Sequence, residues 1–137
     1  MRVFLDADVV VSAFATRGLC ADVLRDVLTR HVLVASADLF REVDRALREK
    51  LRAPDDIAAE AVSLLREIAV VVEPSGEAGL PIPDPADRIL VAAALEGGAD
   101  LFVTGDRELL ALGRAGGRTD IVAPRTFWER VKGPVRP

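Results

Sequence analysis

The chain has 137 residues, half of them apolar, with one cysteine and a formal net charge of −4. This length accommodates one ordinary domain with a substantial core, the apolar content excludes a disordered chain, and the single cysteine excludes an internal disulfide framework. The net charge provides no overall basic footprint for nucleic acid, although it does not report local basic patches.

The opening segment RVFLDADVVVSAF lacks the features of a secretory signal. Its apolar run, Val3 to Leu5, stops at Asp6 after three residues, which is too short for the apolar region of a signal peptide. No apolar run elsewhere approaches the ~20 residues that a membrane-spanning helix needs. We therefore expect a cytoplasmic protein with no membrane association.

Short β-branched segments alternate with helical patterns along the chain. Their continuous apolar character is typical of parallel strands covered on both faces. The alternation predicts an α/β protein, with a three-layer α/β/α domain over residues 1–132 and a mostly parallel central sheet. Residues 133–137 are expected to form a short frayed tail. The predicted strands are Val3–Leu5, Val32–Ala35, Ala69–Val72, Leu101–Thr104 and Ile121–Ala123.

The first helical patterns follow the first two predicted strands. Asp8 is expected to be the N-cap of a helix that runs through Ser12. In SADLFREVDRALREKL, apolar residues from Leu39 to Leu51 recur three and four positions apart. PDDIAAEAVSLLREI carries Pro54 where a first helical turn accepts proline, with acids just after it.

A later helix is predicted in DPADRILVAAALEGG, with Asp84 as its N-cap and Gly97 or Gly98 as its end. The centre of this segment, Ile89 to Leu95, is apolar all round, which predicts burial on more than one side. Before it, the composition of Glu73–Pro83 indicates a loop, which we expect to be the most mobile region.

Four acids are placed where they could meet at one edge of the sheet. In open parallel sheets, ligands bind beyond the carboxyl ends of the strands. Asp6 directly follows the first strand, and Asp106 follows the LFVT strand. Asp87 is the third residue of the apolar helix, and Glu42 lies at the edge of the apolar stripe of the helix after the second strand.

Most of these acids also have a purely structural interpretation. Asp87 suits the first turn of a helix, Asp106 could cap the RELLAL helix, and Glu42 could be one more charge in a charged helix. Asp6 has no such interpretation, because it ends a buried strand while Asp8 is available as the cap. Taken together, the strand-end placement favours a site.

A cluster of carboxylates repels itself unless a hard cation neutralises it, and oxygen-only ligands favour Mg²⁺ or Mn²⁺. Two such ions, ~3.5–4 Å apart, could activate water and stabilise the leaving oxygen in phosphodiester hydrolysis. Other chemistries have weaker support. His31 is the only histidine and is expected at the surface, and Cys20 reads as a half-buried small residue. With one residue of each type, a usual zinc site is excluded.

The opening FLDADVV resembles the phosphatase motif of the haloacid dehalogenase superfamily. That resemblance would make Asp6 a nucleophile and Asp8 an acid/base, with Ser36 as the hydroxyl residue that ends the second strand. The superfamily also needs a lysine near the site. The two lysines, Lys50 late in a charged helix and Lys132 in the tail, do not look well placed.

Nearly the whole chain resembles the PIN-domain nucleases, in particular the VapC-like toxins of bacterial toxin–antitoxin modules. The resemblance runs from FLDADVVVSAF through VASADLFREVDRAL and DPADRILVAAALEGGADLFVTGDRELL to the last strand. The family pattern is an Asp ending strand one, an acid in the helix after strand two, an Asp opening a later buried helix, and Thr-x-Asp after the next strand. The matching residues are Asp6, Glu42, Asp87, Thr104 and Asp106.

This resemblance implies an endoribonuclease that hydrolyses RNA with Mg²⁺ or Mn²⁺. Asp6, Asp87 and Asp106 would hold the metal, and Glu42 would be a further ligand or the base. Thr104 would contact these ligands without binding the metal itself.

Asp8 stands where members of the family usually carry asparagine, so direct contact between Asp8 and the metal stays open. The resemblance also implies a homodimer and a cognate antitoxin. The all-round apolar helix supports the dimer, because its second face needs cover. Two alternatives remain: a haloacid dehalogenase-type phosphatase, and an inactive PIN-like module that binds RNA or a protein.

Overall fold

A six-stranded sheet runs through the centre of the protein, whose computed structural model describes residues 1–76 and 79–133. The order across the sheet is β3-β2-β1-β4-β6-β5, and all neighbours are parallel except the antiparallel β5 and β6. The mostly parallel sheet is as predicted, and β5 is an addition. The strands are β1 Arg2–Leu5, β2 Val32–Ala35, β3 Val70–Val71, β4 Leu101–Val103, β5 Arg114–Ala115 and β6 Thr119–Val122.

Helices cover both faces of this sheet. All side chains of the central segments Val3–Leu5 and Leu101–Val103 are at most 2% exposed. Because successive side chains of a strand point to opposite faces, this burial requires a layer on each side, which confirms the α/β/α prediction. The helices are α1 Ala7–Ala15, α2 Leu19–Arg30, α3 Ala37–Glu49, α4 Asp55–Ile68, α5 Pro85–Glu96, α6 Arg107–Leu112 and α7 Pro124–Lys132.

The N-cap of α1 is Asp6 and not Asp8. The Asp6 Oδ1 atom accepts a hydrogen bond of 2.8 Å from the backbone N–H of Ala7. Asp8 lies in the first helical turn, where its charge suits the helix dipole. The prediction for Asp8 was wrong because only Asp6 lies between the end of β1 and the start of α1, so Asp6 has the structural role as a cap that the sequence had assigned to Asp8.

Helix α5 is covered within the single chain. Asp84 is its N-cap and Gly97 its C-cap, as predicted. The residues from Leu90 to Ala94 are at most 2% exposed. Burial on more than one side is therefore confirmed, and the uncovered apolar face that supported a homodimer does not exist. The dimer remains a prediction without this support.

The strand order creates a crevice at the carboxyl ends of β1 and β4. From β1 the chain moves to β2 and β3 on one side, and it then crosses to β4 on the other side of β1. Leu5 pairs with Val103 at the end of this strand pair, and the N–H of Asp6 donates to the carbonyl of Val103 at 2.9 Å. Such switch points are where open α/β sheets bind ligands.

Two predictions fall partly on residues 77–78 and 134–137, which lie outside the described residues. The described part of the loop Glu73–Pro83 contains no helix or strand, as predicted. Helix α7 ends at Lys132, with Gly133 as its C-cap, and the predicted frayed tail beyond it stays untested. In the part of the chain that is described, no helix is both long and apolar enough to cross a membrane.

Candidate active site

Thr104 connects two of the predicted acids at the centre of the crevice. Its side chain is fully buried directly after β4. The Thr104 Oγ1 atom donates to Asp6 Oδ2 at 2.7 Å and accepts from the backbone N–H of Asp106 at 3.0 Å. A hydroxyl has one hydrogen to donate, so this pair of contacts fixes Asp6 as the acceptor. Thr104 thereby positions one acid through its side chain and another through its backbone.

Asp8 joins α1 to the loop between β4 and α6. Its Oδ1 atom accepts from the N–H of Val9 at 2.8 Å, and its Oδ2 atom accepts from the N–H of Gly105 at 3.0 Å. A Cβ atom on Gly105 would lie only 2.8 Å from this Oδ2 atom. The absence of a side chain at Gly105 is therefore what lets Asp8 hold the loop in place.

We expect Gly105→Ala to reduce activity about tenfold to a hundredfold while the protein stays folded. The added methyl group must push the Asp8 carboxylate away, and the shift is transmitted to the neighbouring Asp106. Displacements of about 1 Å in a catalytic site can cost a hundredfold in rate. Steady-state cleavage rates and thermal melts measure the two effects. Gly76→Ala is the matched control, because its Cβ would meet nothing within 4 Å; equal rates for both variants would contradict this role of Gly105.

Asp106 is the N-cap of α6, and it also lies at the site. Its Oδ1 atom accepts from the N–H groups of Glu108 and Leu109, at 2.8 and 3.3 Å, and so caps α6. A cap at this position holds the carboxylate beside the end of β4. The structural and the functional interpretations are therefore compatible for this residue.

A cavity of about 410 Å³ opens over the acids between α1 and α3. Asp6, Asp8 and Asp106 line it from the strand ends, and Glu42 lines it from α3. Glu42 is half-buried, as its place at the edge of the apolar stripe predicts. The structure thus brings three of the four predicted acids, together with Asp8, to a common cavity.

Asp87 is not among the residues that line this cavity, but its charge interacts with those of the acids there. Its pKa is raised to about 6 by partial burial, then by the negative charges of Asp84, Asp106 and Glu42, and its own charge helps to raise the pKa of Asp6. Interactions of this kind require proximity. Asp87 opens α5 at its first turn, as predicted, and is the fourth member of the cluster.

The electrostatics of the cluster are those of buried carboxylates with too little counter-charge: the charge of Arg45 lowers the pKa of Glu42 but does not overcome its burial. Burial, followed by the charge of Asp8, raises the pKa of Asp6 to about 7, despite the opposing hydrogen bond from Thr104. Burial is also the main cause of the raised pKa values of Asp8 and Glu42. Buried acids without a cationic partner are disfavoured in their charged form.

The donor set fits a divalent cation. Carboxylate oxygens are the ligands that Mg²⁺ and Mn²⁺ prefer, and a cation would offset the burial of these charges, which is the main cause of the raised pKa values, as well as the repulsion between them. Among residues 1–76 and 79–133, no three His, Cys, Asp or Glu side chains stand in a ready-made ligand arrangement. The argument for a cation therefore depends on the chemistry of the acids and on their mutual repulsion.

The only histidine is absent from this cluster, but its predicted exposure was wrong. The His31 side chain is 13% exposed and lies before β2, at the opposite edge of the sheet. Its Nε2 atom is 3.1 Å from Asp26 Oδ2, and its Nδ1 atom is 3.1 Å from the amino group of Met1. The periodicity does not show this, because the contact with Asp26 depends on where α2 ends and the contact with Met1 joins residues 30 positions apart. His31 has a structural role there.

Cys20 is half-buried, as predicted. Burial and the charge of Asp8 raise the pKa of its thiol. A nucleophilic cysteine needs the opposite, a lowered pKa.

Sequence reasoning missed two cations at this site. Arg45 and Lys50 line the same cavity as Glu42, from the same helix face. The expectation that Lys50 is poorly placed, because it lies late in the helix, is wrong. The helical period was the available signal, since positions three and eight residues after Glu42 fall within ~80° of it around the helix axis.

Comparisons with known proteins agree with this geometry. The family model of the PIN domain matches residues 2–108, a range that includes all four acids. Two solved structures share the fold. VapBC2 from Rickettsia felis, bound to a DNA fragment from their promoter, has 11% identity and a TM-score of 0.62, and the match covers 88% of this chain and 98% of that chain. VapBC-1 from nontypeable Haemophilus influenzae has 19% identity and a TM-score of 0.57, and the match covers 81% and 91%. No curated protein matches the sequence. Because the family model covers well over half of the chain, the chain belongs to the PIN domain family.

Proposed function

We propose that this protein is an endoribonuclease that depends on Mg²⁺ or Mn²⁺ and serves as the toxin of a toxin–antitoxin module. The observation that carries the proposal is the meeting of Asp6, Glu42, Asp87 and Asp106 at the switch point of the sheet. Burial raises the pKa values of Asp6, Glu42 and Asp87 there, and the charges of neighbouring acids raise them further.

Asp6, Asp87 and Asp106 would hold the cation, with Glu42 as a further ligand or as the base. Such a cation, when bound, lowers the pKa of water and stabilises negative charge on a leaving oxygen. The protein's own side chains position the acids that would hold this cation. Thr104 fixes the orientation of Asp6, and supporting contacts of this kind tune metal sites strongly.

Two further contacts hold the loop after β4 in place at the site. Asp8 ties α1 to Gly105, while the α6 cap holds Asp106 in place. Rigid support of this kind is what a catalytic cluster of like charges needs, because repulsion would otherwise spread it.

The proposed partners follow from the family and from the structural neighbours. Both neighbours are VapBC assemblies, one of them bound to promoter DNA. These likenesses support a cognate antitoxin for this chain. The homodimer and the location in the cytoplasm remain predictions.

The phosphatase alternative loses support from the position of Ser36. That hydroxyl is fully buried, and its Oγ atom accepts from the N–H of Leu39 at 3.2 Å as the N-cap of α3. A fully buried capping hydroxyl is poorly placed to contact a substrate phosphate.

The substrate class is tested by incubating the purified protein and Mn²⁺ with end-labelled RNA and, separately, with p-nitrophenyl phosphate. We expect RNA fragments and no release of nitrophenol, because the site is proposed for diesters. Nitrophenol release with intact RNA would indicate the phosphatase. Intact substrates in both reactions would indicate the inactive binding module.

A further inference from the structure

We propose that Arg45 and Lys50 form a phosphate-binding subsite for single-stranded RNA, beside the carboxylates in the groove between α1 and α3. This inference rests on the proposed function and adds a path for the substrate. Both residues line the cavity that also contains Asp6 and Glu42. One opening therefore carries acids at the strand ends and cations farther along α3.

The cations of α3 divide into two groups according to their partners. Arg41 forms an ion pair with Asp38, and Arg48 is 3.0 Å from Asp44. Among the described residues, no acid lies within 4.0 Å of the charged nitrogens of Arg45 or Lys50. The two cations without an ion pair are the ones at the cavity. Exposed arginine and lysine side chains that form no ion pair can bind an incoming anion without first losing a partner.

The spacing along α3 suits a chain of phosphates. Lys50 is eight residues beyond Glu42, which corresponds to ~12 Å along a helix axis. Phosphates of a stacked strand repeat every ~3.4 Å along its axis. A strand with one phosphate at the acids would therefore bring further phosphates past both cations. Glu49 lines the same face and opposes this attraction.

A phosphodiester fits this groove better than an acidic protein segment does. The acids at one end of the cavity would repel the carboxylates of a peptide as well as its carbonyl oxygens. The cation proposed for that end would attract carboxylates and phosphates alike, so the regular spacing of phosphates past the two cations of α3 is what favours RNA. Arginine can bind phosphate through two parallel hydrogen bonds, and lysine binds it as a point charge.

The test measures RNA affinity and turnover of a small diester separately. Binding of a fluorescent single-stranded RNA in Ca²⁺ is followed by anisotropy at several salt concentrations. For Arg45→Gln combined with Lys50→Gln, we expect the Kd to rise about tenfold or more, and the slope of log Kd against log salt to fall by about 1.4, or ~0.7 for each lost contact. Hydrolysis of bis(p-nitrophenyl) phosphate in Mn²⁺ should lose much less than RNA affinity does, because this diester has no neighbouring phosphate and the substitutions affect its reaction only through the charge of Arg45 on Glu42.

Two single variants serve as controls, each with its own expected effect on the RNA Kd. Arg41→Gln removes a cation of the same helix that is paired outside the cavity, so the RNA Kd should stay the same. Glu49→Gln removes the opposing charge and should lower the Kd. Melting temperatures of all the variants should match that of the parent, since these side chains are largely exposed.

The outcomes separate this inference from the proposed function. Unchanged Kd and salt slope in the double variant would overturn the subsite and would leave an acidic protein segment as the ligand of the two cations. A parallel loss of small-diester hydrolysis would overturn it as well, by showing that the cations serve the carboxylates themselves. A parent protein that binds RNA through both cations but hydrolyses neither substrate would refute the nuclease and keep the subsite.

Discussion

Asp6→Asn should reduce RNA cleavage to background and should leave the metal-free protein at least as stable as the parent. Activity falls because one charged ligand of the proposed cation is lost. Asparagine is as good an N-cap as aspartate, so the bond from Ala7 N–H can persist, and its amide N–H can donate to Thr104 Oγ1 in place of the bond that Asp6 Oδ2 accepts. The substitution also removes a negative charge that the burial of Asp6 and the charge of Asp8 disfavour.

The gain in stability should depend on pH in a defined direction. The pKa of Asp6 is raised from 3.8 to about 7, so the folded protein takes up a proton there between these two values. In that window, the stability of the metal-free parent falls as pH rises, by up to ~1.4 kcal/mol per pH unit for one such group. Asparagine does not titrate. The advantage of Asp6→Asn should therefore grow by several degrees in melting temperature between pH 5 and pH 8, and level off above about 7.

Asp26→Asn is the matched control, with the opposite sign. Asp26 and Asp6 are almost equally buried, at 6% and 7% exposure. Although burial alone raises the pKa of Asp26, hydrogen bonds from Lys132 and His31 lower it overall. Its charge therefore stabilises the fold, and its removal should lower the melting temperature at pH 8 without affecting cleavage.

Thermal melts in EDTA at pH 5 and 8, together with an RNA cleavage assay, distinguish the possible roles of Asp6. A destabilised Asp6→Asn variant that still cleaves RNA would show that Asp6 acts only as a cap. A destabilised and inactive variant would refute the electrostatic argument while keeping the catalytic role.

The fold could be predicted from the sequence where burial determines composition. Four predicted strands correspond to β1, β2, β4 and β6, because buried parallel strands are continuous apolar runs. The fifth corresponds to β3, whose two valines are exposed, and its signal was β-branched composition. The omitted strand, β5, has only two residues. It pairs with β6 across a turn that contains Gly116 and Gly117, both with positive φ. A strand that consists of Arg114 and Ala115 carries no periodic signal, and its pairing is set by the turn.

The cluster of acids could be anticipated because strand ends share an edge in a parallel sheet. The support around these acids could not. The cap rules allow Asp6 and Asp8 equally, and only the exact start of α1 decides between them. The contact between Asp8 and Gly105 joins residues 97 positions apart. Likewise, Arg45 and Lys50 become site residues only because α3 lies across the groove from α1.

Chelation of divalent cations should abolish RNA cleavage, and Mn²⁺ should bind more tightly as pH rises toward neutrality. Without a cation, a phosphate would approach several carboxylates at the carboxyl ends of β1 and β4, and the repulsion would oppose binding. Cation binding in turn requires ionised carboxylates. Asp6, with a pKa of about 7, and Asp87, with a pKa of about 6, must lose their protons first.

The apparent Kd for Mn²⁺ should therefore fall at least tenfold for each pH unit below about 6, where both acids hold protons, and level off above about 7. Calorimetric titrations at pH 5.5, 6.5, 7.5 and 8.5 measure this dependence without reference to activity. In the same series, the Asp6→Asn variant should bind Mn²⁺ more weakly and with a shallower pH dependence, because one of the two protons is no longer displaced. Binding that is independent of pH in the parent would place the cation away from Asp6 and Asp87, and cleavage that persists in EDTA would remove the cation from the reaction.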